Sequence, residues 1–333
     1  FNQESIIMSD MSSTGLIHGI LLDGNGGGRL LSWDELRTWK ASMGTLWLHF
    51  DYTVDSARDW VRNDSGLDSL IAEALLTEET RPRTTSVGDG LLIALRGVNL
   101  NPGSEPDDMV SVRLWAEKER VISTRKRKIM SVEDLIQKLK RGKGPTDSAG
   151  IVVGLASALV WHMSDTVDMY EDEISILEDR ILTDSNEGIR FDLATLRRQT
   201  ISLRRHLTPQ REAMARLISE NVSWVDNSDR MELREVSDRL IRHIEDIDEV
   251  RERAAVTHEE LISRVSEQLN KRMYVLSVVA AIFLPLGFFT GLLGINVGGI
   301  PGAENPFAFL VFILLIVVIV ILQIALFKWK NWL

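Results

Sequence analysis

The stretch with the clearest chemical use is Gly294-Ile295-Asn296-Val297-Gly298-Gly299-Ile300-Pro301-Gly302. Its glycines permit backbone angles closed to other residues, and Asn296 stands just beyond a long apolar run. A ring of Asn amide oxygens and backbone carbonyls, one set from each of several copies, would hold a hydrated divalent cation through its water shell. That arrangement suits ions that give up water reluctantly. A plain helix cap is the other role open to Asn296, and spacing alone does not separate the two. Glu304 adds a negative charge to the same loop.

Other chemistry-bearing residues lead less far. Gly24-Asn25-Gly26-Gly27-Gly28 is glycine-rich but lacks the Gly-Lys-Ser/Thr ending of a phosphate loop, so a hairpin turn is expected. Gly142-Lys143-Gly144-Pro145-Thr146 fails likewise, because proline removes an amide donor. The basic run Ser123-Thr124-Arg125-Lys126-Arg127-Lys128 could meet acidic lipid or acidic groups of the same chain. On a chain of net charge -10, internal pairing is expected. The six histidines form no H-x-x-x-H pair. His162 and Asp165, three residues apart, could share a helix face and a structural Zn²⁺, but an ordinary solvated face is the expected reading. No Ser-His-Asp or kinase constellation is evident, so no enzyme is expected.

Two apolar segments must position the glycine–asparagine loop. Met273 to Leu293 and Phe307 to Phe327 each run 21 residues without a charge. At about 1.5 Å per residue each spans roughly 30 Å, the thickness of a hydrocarbon core. Lys271 and Arg272 precede the first, Lys328 and Lys330 follow the second, and the loop between them holds no Lys or Arg. Positive flanks stay inside, which predicts cytoplasmic termini and an external loop. Trp329 and Trp332 fit an interfacial belt. The first span carries Ser277, Thr290 and a Gly287-x-x-x-Gly291 spacing that allows close helix approach, with Pro285 as a kink site. The second is Val, Ile and Leu with Gln323 as its one strongly polar residue. The first span is therefore expected to face protein or a pore, and the second to face lipid. Two helices cannot enclose a pore, so conduction requires several copies around an axis.

The rest of the chain reads as an α/β cytoplasmic domain followed by a long α-helical stalk. Residues 1–14 read as a leader or disordered segment, with no basic stretch before an apolar run. Residues 15–145 read as an α/β domain, with strands at Leu16–Leu22, Thr45–Phe50, Gly90–Val98, Val110–Ala116 and Arg120–Thr124. Helices are expected near Asp55–Asn63, Leu67–Leu76 and Val132–Lys140. Residues 146–225 read as a helical hairpin and 226–272 as a stalk, one helix running from about Asp229 to Leu293. Asp226, Asn227 or Ser228 could cap it. The remaining boundaries are the first span (273–293), the loop (294–306), the second span (307–327) and a cytoplasmic tail (328–333). The stalk holds 13 acidic and 9 basic residues, which either solvate its outer face or form an acidic funnel that draws cations.

Composition closes off some classes. The acidic balance excludes a nucleic-acid partner, which needs a basic surface. The absence of cysteine excludes disulfides and thiolate metal sites.

A large α/β domain, a long helix entering the membrane, two C-terminal spans and a Gly294-x-Asn296 motif after the first resemble the CorA metal-ion transporter superfamily. The resemblance covers the chain from about residue 15 to its end. Leu293 and Ile295 stand where the usual Y-G-M-N form has its aromatic and its methionine. The loop, with Thr80-Arg81-Pro82-Arg83 and Gly144-Pro145-Thr146-Asp147, looks like the ZntB zinc-transporter branch. The resemblance implies a homopentamer in a bacterial inner membrane, a funnel-shaped cytoplasmic domain and a pore lined by the first span. It implies that Gly294, Ile295 and Asn296 form an outer selectivity site, with Met273, Ser277, Leu284 and Thr290 as secondary pore-lining positions. Zinc as the transported ion rests on that branch alone, because an oxygen-lined site does not favour Zn²⁺ over Mg²⁺, Co²⁺ or Ni²⁺. A membrane sensor or scaffold that moves no ion is the competing expectation.

Overall fold

A computed structural model describes residues 14–78, 81–183, 188–294 and 305–330. The chain forms two compact units, Phe1–His258 and Glu259–Leu333.

The first unit is built on a seven-stranded mixed sheet. Its strands are β1 (Leu16–Leu22), β2 (Gly28–Leu30), β3 (Leu46–Asp51), β4 (Arg83–Val87), β5 (Gly90–Gly97), β6 (Val110–Ala116) and β7 (Arg120–Arg125). Their order across the sheet is β2-β1-β3-β7-β6-β5-β4. Among the described strands only the central β3–β7 pair is parallel, with Leu48 opposite Ile122 and Phe50 opposite Thr124. All five expected strands are present within a residue or two. Two were not foreseen. β2 is three residues long, too short for alternation to show. β4 is an edge strand of sequence RTTSV, whose residues do not need a continuous apolar face.

Period-two alternation sends successive side chains to opposite faces. Leu48, Phe50, Trp115 and Ile122 point to one face and form a core with Ala57, Val61, Ile71 and Leu75. Those last four come from α2 (Asp55–Asp59), the π-helical turn Trp60–Asp64 that follows it, and α3 (Ser69–Leu76). The single helix expected over Asp55–Asn63 thus widens into a π turn, closed by Ser65 N–H donating to the Trp60 carbonyl at 2.9 Å. A short α1 (Trp33–Thr38) was missed by the sequence reading, although Ser32 and Glu35 form a reciprocal capping box there.

The other face is covered by α4 (Met130–Lys140), α5 (Ser148–Thr183) and α6 (Ile189–Ser219). Gly154 marks the tight α4–α5 contact: a Cβ there would lie 2.7 Å from Leu135 Cδ1. Gln210 of α6, 1% exposed, replaces a missing strand neighbour at the end of β5. Its amide accepts from Arg96 N–H at 2.7 Å and donates to the Arg96 carbonyl at 2.8 Å.

Both glycine-rich stretches are structural. Asp23 Oδ1 accepts from the amides of Asn25 (2.7 Å) and Gly27 (2.9 Å), and Gly24 and Gly26 take φ of +74° and +90°. Two of the amides a phosphate would need, those of Asn25 and Gly27, are already engaged in the β1–β2 hairpin turn, which is the turn expected there. Gly144 N–H donates to the Gly26 carbonyl at 2.7 Å, docking the second stretch on the first.

The basic run on β7 also pairs internally. Arg125 lies 3.7 Å from Glu133, Arg127 bonds Asp108 at 3.0 Å, and Lys126 pairs with Glu78.

The last helices are α7 (Asn227–Leu293) and α8 (Ala308–Trp329). Asp226 caps α7 reciprocally with Asp229: Asp229 N–H donates to Asp226 Oδ1 at 2.8 Å and Asp226 N–H to Asp229 Oδ2 at 3.0 Å. Arg230 donates to the carbonyls of Ile218 and Glu220, which end α6. The linker is held to the sheet by Asp89, whose carboxylate accepts from Ser223 N–H at 2.7 Å and whose carbonyl accepts from Trp224 Nε1 at 2.7 Å. Leu233, Val236, Leu240, Ile244, Ile247, Val250 and Ala254 form the buried stripe of α7 in the first unit, while the expected Val265 is exposed.

Candidate functional site

The second unit holds the two apolar helices that flank the glycine–asparagine loop. α7 continues as one helix through Pro285 to Leu293, and Gly294 N–H donates to the Thr290 carbonyl at 2.9 Å. Ile295, Asn296 and Glu304 lie outside the described residues, so of the expected selectivity triplet only Gly294 is described, at the exposed end of the helix.

The span itself has two sides. Val278, Ala281, Ile282, Pro285, Leu286 and Phe289 are partly shielded. Their spacing of three and four residues puts them on one helix face. Met273, Ser277, Leu284, Gly287 and Gly291 are exposed and recur at i, i+4, i+11, i+14 and i+18. At about 100° per residue these five fall within a narrow arc on roughly the opposite face. Three of the four secondary pore-lining candidates therefore share a stripe with the two small glycines. Thr290 sits about a quarter-turn away by the same rotation. Its hydroxyl donates back to the Leu286 carbonyl at 2.9 Å, so it needs no partner across the helix.

α8 carries a matching shielded row: Ala308, Phe312, Ile316, Ile319, Gln323 and the buried Phe327. Gln323 Nε2 donates to the Ala281 carbonyl at 3.3 Å, joining the two rows. The sequence marked Gln323 as an isolated polar residue but contained no signal for its partner. Among the described residues, none in the most apolar stretch of either helix is buried inside the chain.

The first unit holds the remaining candidates. His162 Nε2 lies 2.6 Å from Asp134 Oδ2 of α4, a partner that helical spacing within α5 does not indicate. Asp165 stands instead in an acidic row with Asp168, Asp172 and Glu173, beside Met169 and Ile176. Near this row burial, together with Asp246, Asp168 and Glu249, raises the Glu171 pKa. His243 of α7 faces Ser164 at 3.3 Å, and burial lowers its pKa. Among the described residues no three His, Asp or Glu side chains are arranged to hold a metal ion.

One polar cluster escaped the sequence reading because its members come from three strands. Ser123 Oγ donates to the Leu48 carbonyl (3.1 Å), accepts from Trp47 Nε1 (2.9 Å), and lies 2.8 Å from His49 Nδ1. With its one hydrogen given to Leu48, the hydroxyl must accept from His49, which places the imidazole proton on Nδ1. His18 stacks beside His49 with ring centroids 6.3 Å apart. Burial pushes the His18 pKa down to about 4, Glu133 opposing and Arg125 and Lys140 adding to the shift. The cluster ties β1, β3 and β7 together and keeps both imidazoles neutral.

The matches to known proteins run the length of the chain. The zinc transport protein ZntB of Pectobacterium atrosepticum is 38% identical over 317 residues, covering 95% of this chain and 96% of that protein. The divalent cation transporter CmaX of Pseudomonas aeruginosa is 40% identical over 322 residues, covering 96% and 97%. The solved structure of full-length CmaX superposes with a TM-score of 0.86 at 39% identity, over 96% of this chain and 98% of that one. The CorA magnesium transporter of Methanocaldococcus jannaschii, at 18% identity, matches with a TM-score of 0.81 over 95% of this chain and 99% of its own, a likeness of fold. Residues 42–329 match the model of the family described as CorA-like Mg2+ transporter protein, and the chain belongs to that family.

Proposed function

We propose that this chain is a divalent cation transporter whose principal substrate is Zn²⁺, working as a homopentamer with the 273–293 span innermost. The observation that carries this reading is the near-full-length similarity to proteins named for zinc and divalent cation transport. The family is one of transporters, and the chain is not an enzyme. The exposed stripe Met273–Ser277–Leu284, lengthened by Gly287 and Gly291, supports a pore face turned away from α8. Small residues there let copies of the helix approach closely around an axis.

On this reading Gly294, Ile295 and Asn296 form the outer selectivity site, and Thr290 lies just within it. Amide and carbonyl oxygens attract the cation's bound waters without stripping them, so the ion enters at low desolvation cost and can leave again. Glu304 raises the local cation concentration outside. The placement of Lys271, Arg272, Lys328 and Lys330 supports cytoplasmic termini in a bacterial inner membrane, with the loop on the far side. The acidic row beside Asp165 would concentrate cations at the inner side, where His162 and Asp165 remain candidates for transient contact.

The test is zinc flux into proteoliposomes, with Mg²⁺, Co²⁺ and Ni²⁺ as competitors and with and without a pH gradient. Asn296→Ala should abolish flux while leaving the oligomer intact by native mass. Unchanged flux in that variant would remove Asn296 from the selectivity site. Stronger competition by Mg²⁺ than by unlabelled Zn²⁺ would reassign the substrate within the same family. No flux of any ion in the unmodified protein would favour a sensor or scaffold.

A further inference from the structure

The second span has one strongly polar side chain, and the first span has one backbone defect. Proline has no N–H, so in a helix the carbonyl four residues before it loses its partner. For Pro285 that carbonyl belongs to Ala281. In hydrocarbon an unsatisfied backbone group is costly, since no water can replace the lost bond. Gln323 Nε2 donates to the Ala281 carbonyl at 3.3 Å. The carbonyl neighbour also settles the amide's orientation, because only the NH₂ end can face it. Gln323 Oε1 is buried and has no hydrogen-bond partner among the described residues, so the amide is held in place from its NH₂ end.

We propose that Gln323 is the positioning residue of the conducting helix: it caps the carbonyl that Pro285 orphans and thereby fixes where the first span sits on the second. This role in flux rests on the transport reading above, but the capping itself does not. Ala281 lies at the edge of the shielded face of α7, about 60° around the helix from the centre of the Met273–Ser277–Leu284 stripe, and Gln323 reaches its carbonyl from α8, so Gln323 acts through the helix rather than on the ion. It also explains the composition of the second span. A sleeve that only met lipid would need no amide at all, whereas a sleeve that registers a proline-broken helix needs one donor at one depth.

The experiment is a double-mutant cycle in the full-length protein with Gln323→Leu, Pro285→Ala and both together. Two quantities are read: the thermal midpoint of the purified protein in detergent, and the maximal zinc flux with its half-saturating concentration in proteoliposomes. Gln323→Leu alone should lower the midpoint by several degrees and the maximal flux about threefold to tenfold, as loss of one interhelical bond in a membrane would. The half-saturating concentration should stay put, because no ion contact is lost. With Ala at 285 the helix supplies its own N–H to Ala281, and Gln323→Leu should then change flux by less than about 1.5-fold. Gln323→Leu costing as much in the Pro285→Ala background as in the native one overturns the proposal, as does its having no effect in either. If Gln323→Leu alone does not assemble, the double variant should, and a double variant that also fails overturns it. Should the unmodified protein carry no ion while the midpoints follow the expected cycle, the capping stands and the transport reading fails.

Discussion

α5 and the membrane-spanning part of α7 are both long and apolar enough to cross a bilayer, yet they meet opposite fates. In α5, 61% of the most apolar stretch is buried inside the first unit; in α7 and α8 the figure is 0%. The difference lies in what the rest of the chain provides. α5 has a sheet with apolar rows facing it and glycines such as Gly154 where α4 must come close. Among the described residues the spans are shielded only along the face they share, so most of their surface is left for lipid or for further copies. Apolar character over a short stretch therefore does not separate α5 from the spans; unbroken charge-free length does, because Asp165 interrupts the apolar run of α5 while each span continues for 21 residues.

The sharpest way to break this contrast is at the loop. Asn296→Ala should cost all flux and leave the thermal unfolding of the first unit unchanged. A drop in that unit's stability would show that the two regions are not separable in this way.

A second substitution pair compares burial directly. Leu114 in β6 is 1% exposed and Leu310 in α8 is 60% exposed. Leu114→Ala should destabilise the first unit by about 2–5 kcal/mol, the cost of a core cavity. Leu310→Ala should shift stability in detergent by less than about 1 kcal/mol, since one apolar contact with lipid replaces another. Unfolding followed by tryptophan fluorescence separates the two, because Trp47 and Trp115 report the sheet.

A third contrast concerns charge. The first unit buries titratable groups; the spans hold no Asp, Glu, Lys, Arg or His. His18 has a folded pKa of about 4 against an ordinary value of 6.5, and His206 is shifted the same way, mainly by burial. A depressed folded pKa means that the unfolded chain takes up the proton first. The stability tied to neutral His18 is therefore complete above 6.5 and is lost as pH falls through 4. Thermal midpoints over that window should fall less steeply in His18→Asn than in the native protein. An unchanged slope would show that His18 does not govern acid sensitivity.

The smallest effect is at the start of α7. Asp226→Ala removes the cap and should cost about 1 kcal/mol, read by thermal melting, with no change in flux once the protein is folded.

Much of this architecture is written locally. The two spans, their flanking charges, five of the strands and the extent of α7 follow from composition and period, because each depends on residues adjacent in sequence. The sensitivity of a hairpin to Gly24 and Gly26, and the cap at Asp226, are equally local. β2 and β4 were not legible: one is too short to show alternation, and the other is an edge strand closed by α6, with Gln210 completing the row just beyond it at Arg96. The partner of His162 was illegible for a related reason. Its helix neighbour Asp165 is suggested by spacing, whereas Asp134 reaches it only when α4 packs on α5.

By itself, then, the sequence determined which two segments are long and charge-free enough to span a bilayer, which of them carries the small and polar residues, and that Asn296 follows it. Only the tertiary structure decided that Asp134 of α4 meets His162 of α5, that Ser123 gathers His49 and Trp47 from β3, and that Gln323 meets the carbonyl beneath Pro285. The physical reason is the range of the interactions. Transfer free energy and helix capping act on a residue and its near neighbours, whereas a hydrogen bond between residues 42 apart exists only after two helices have packed.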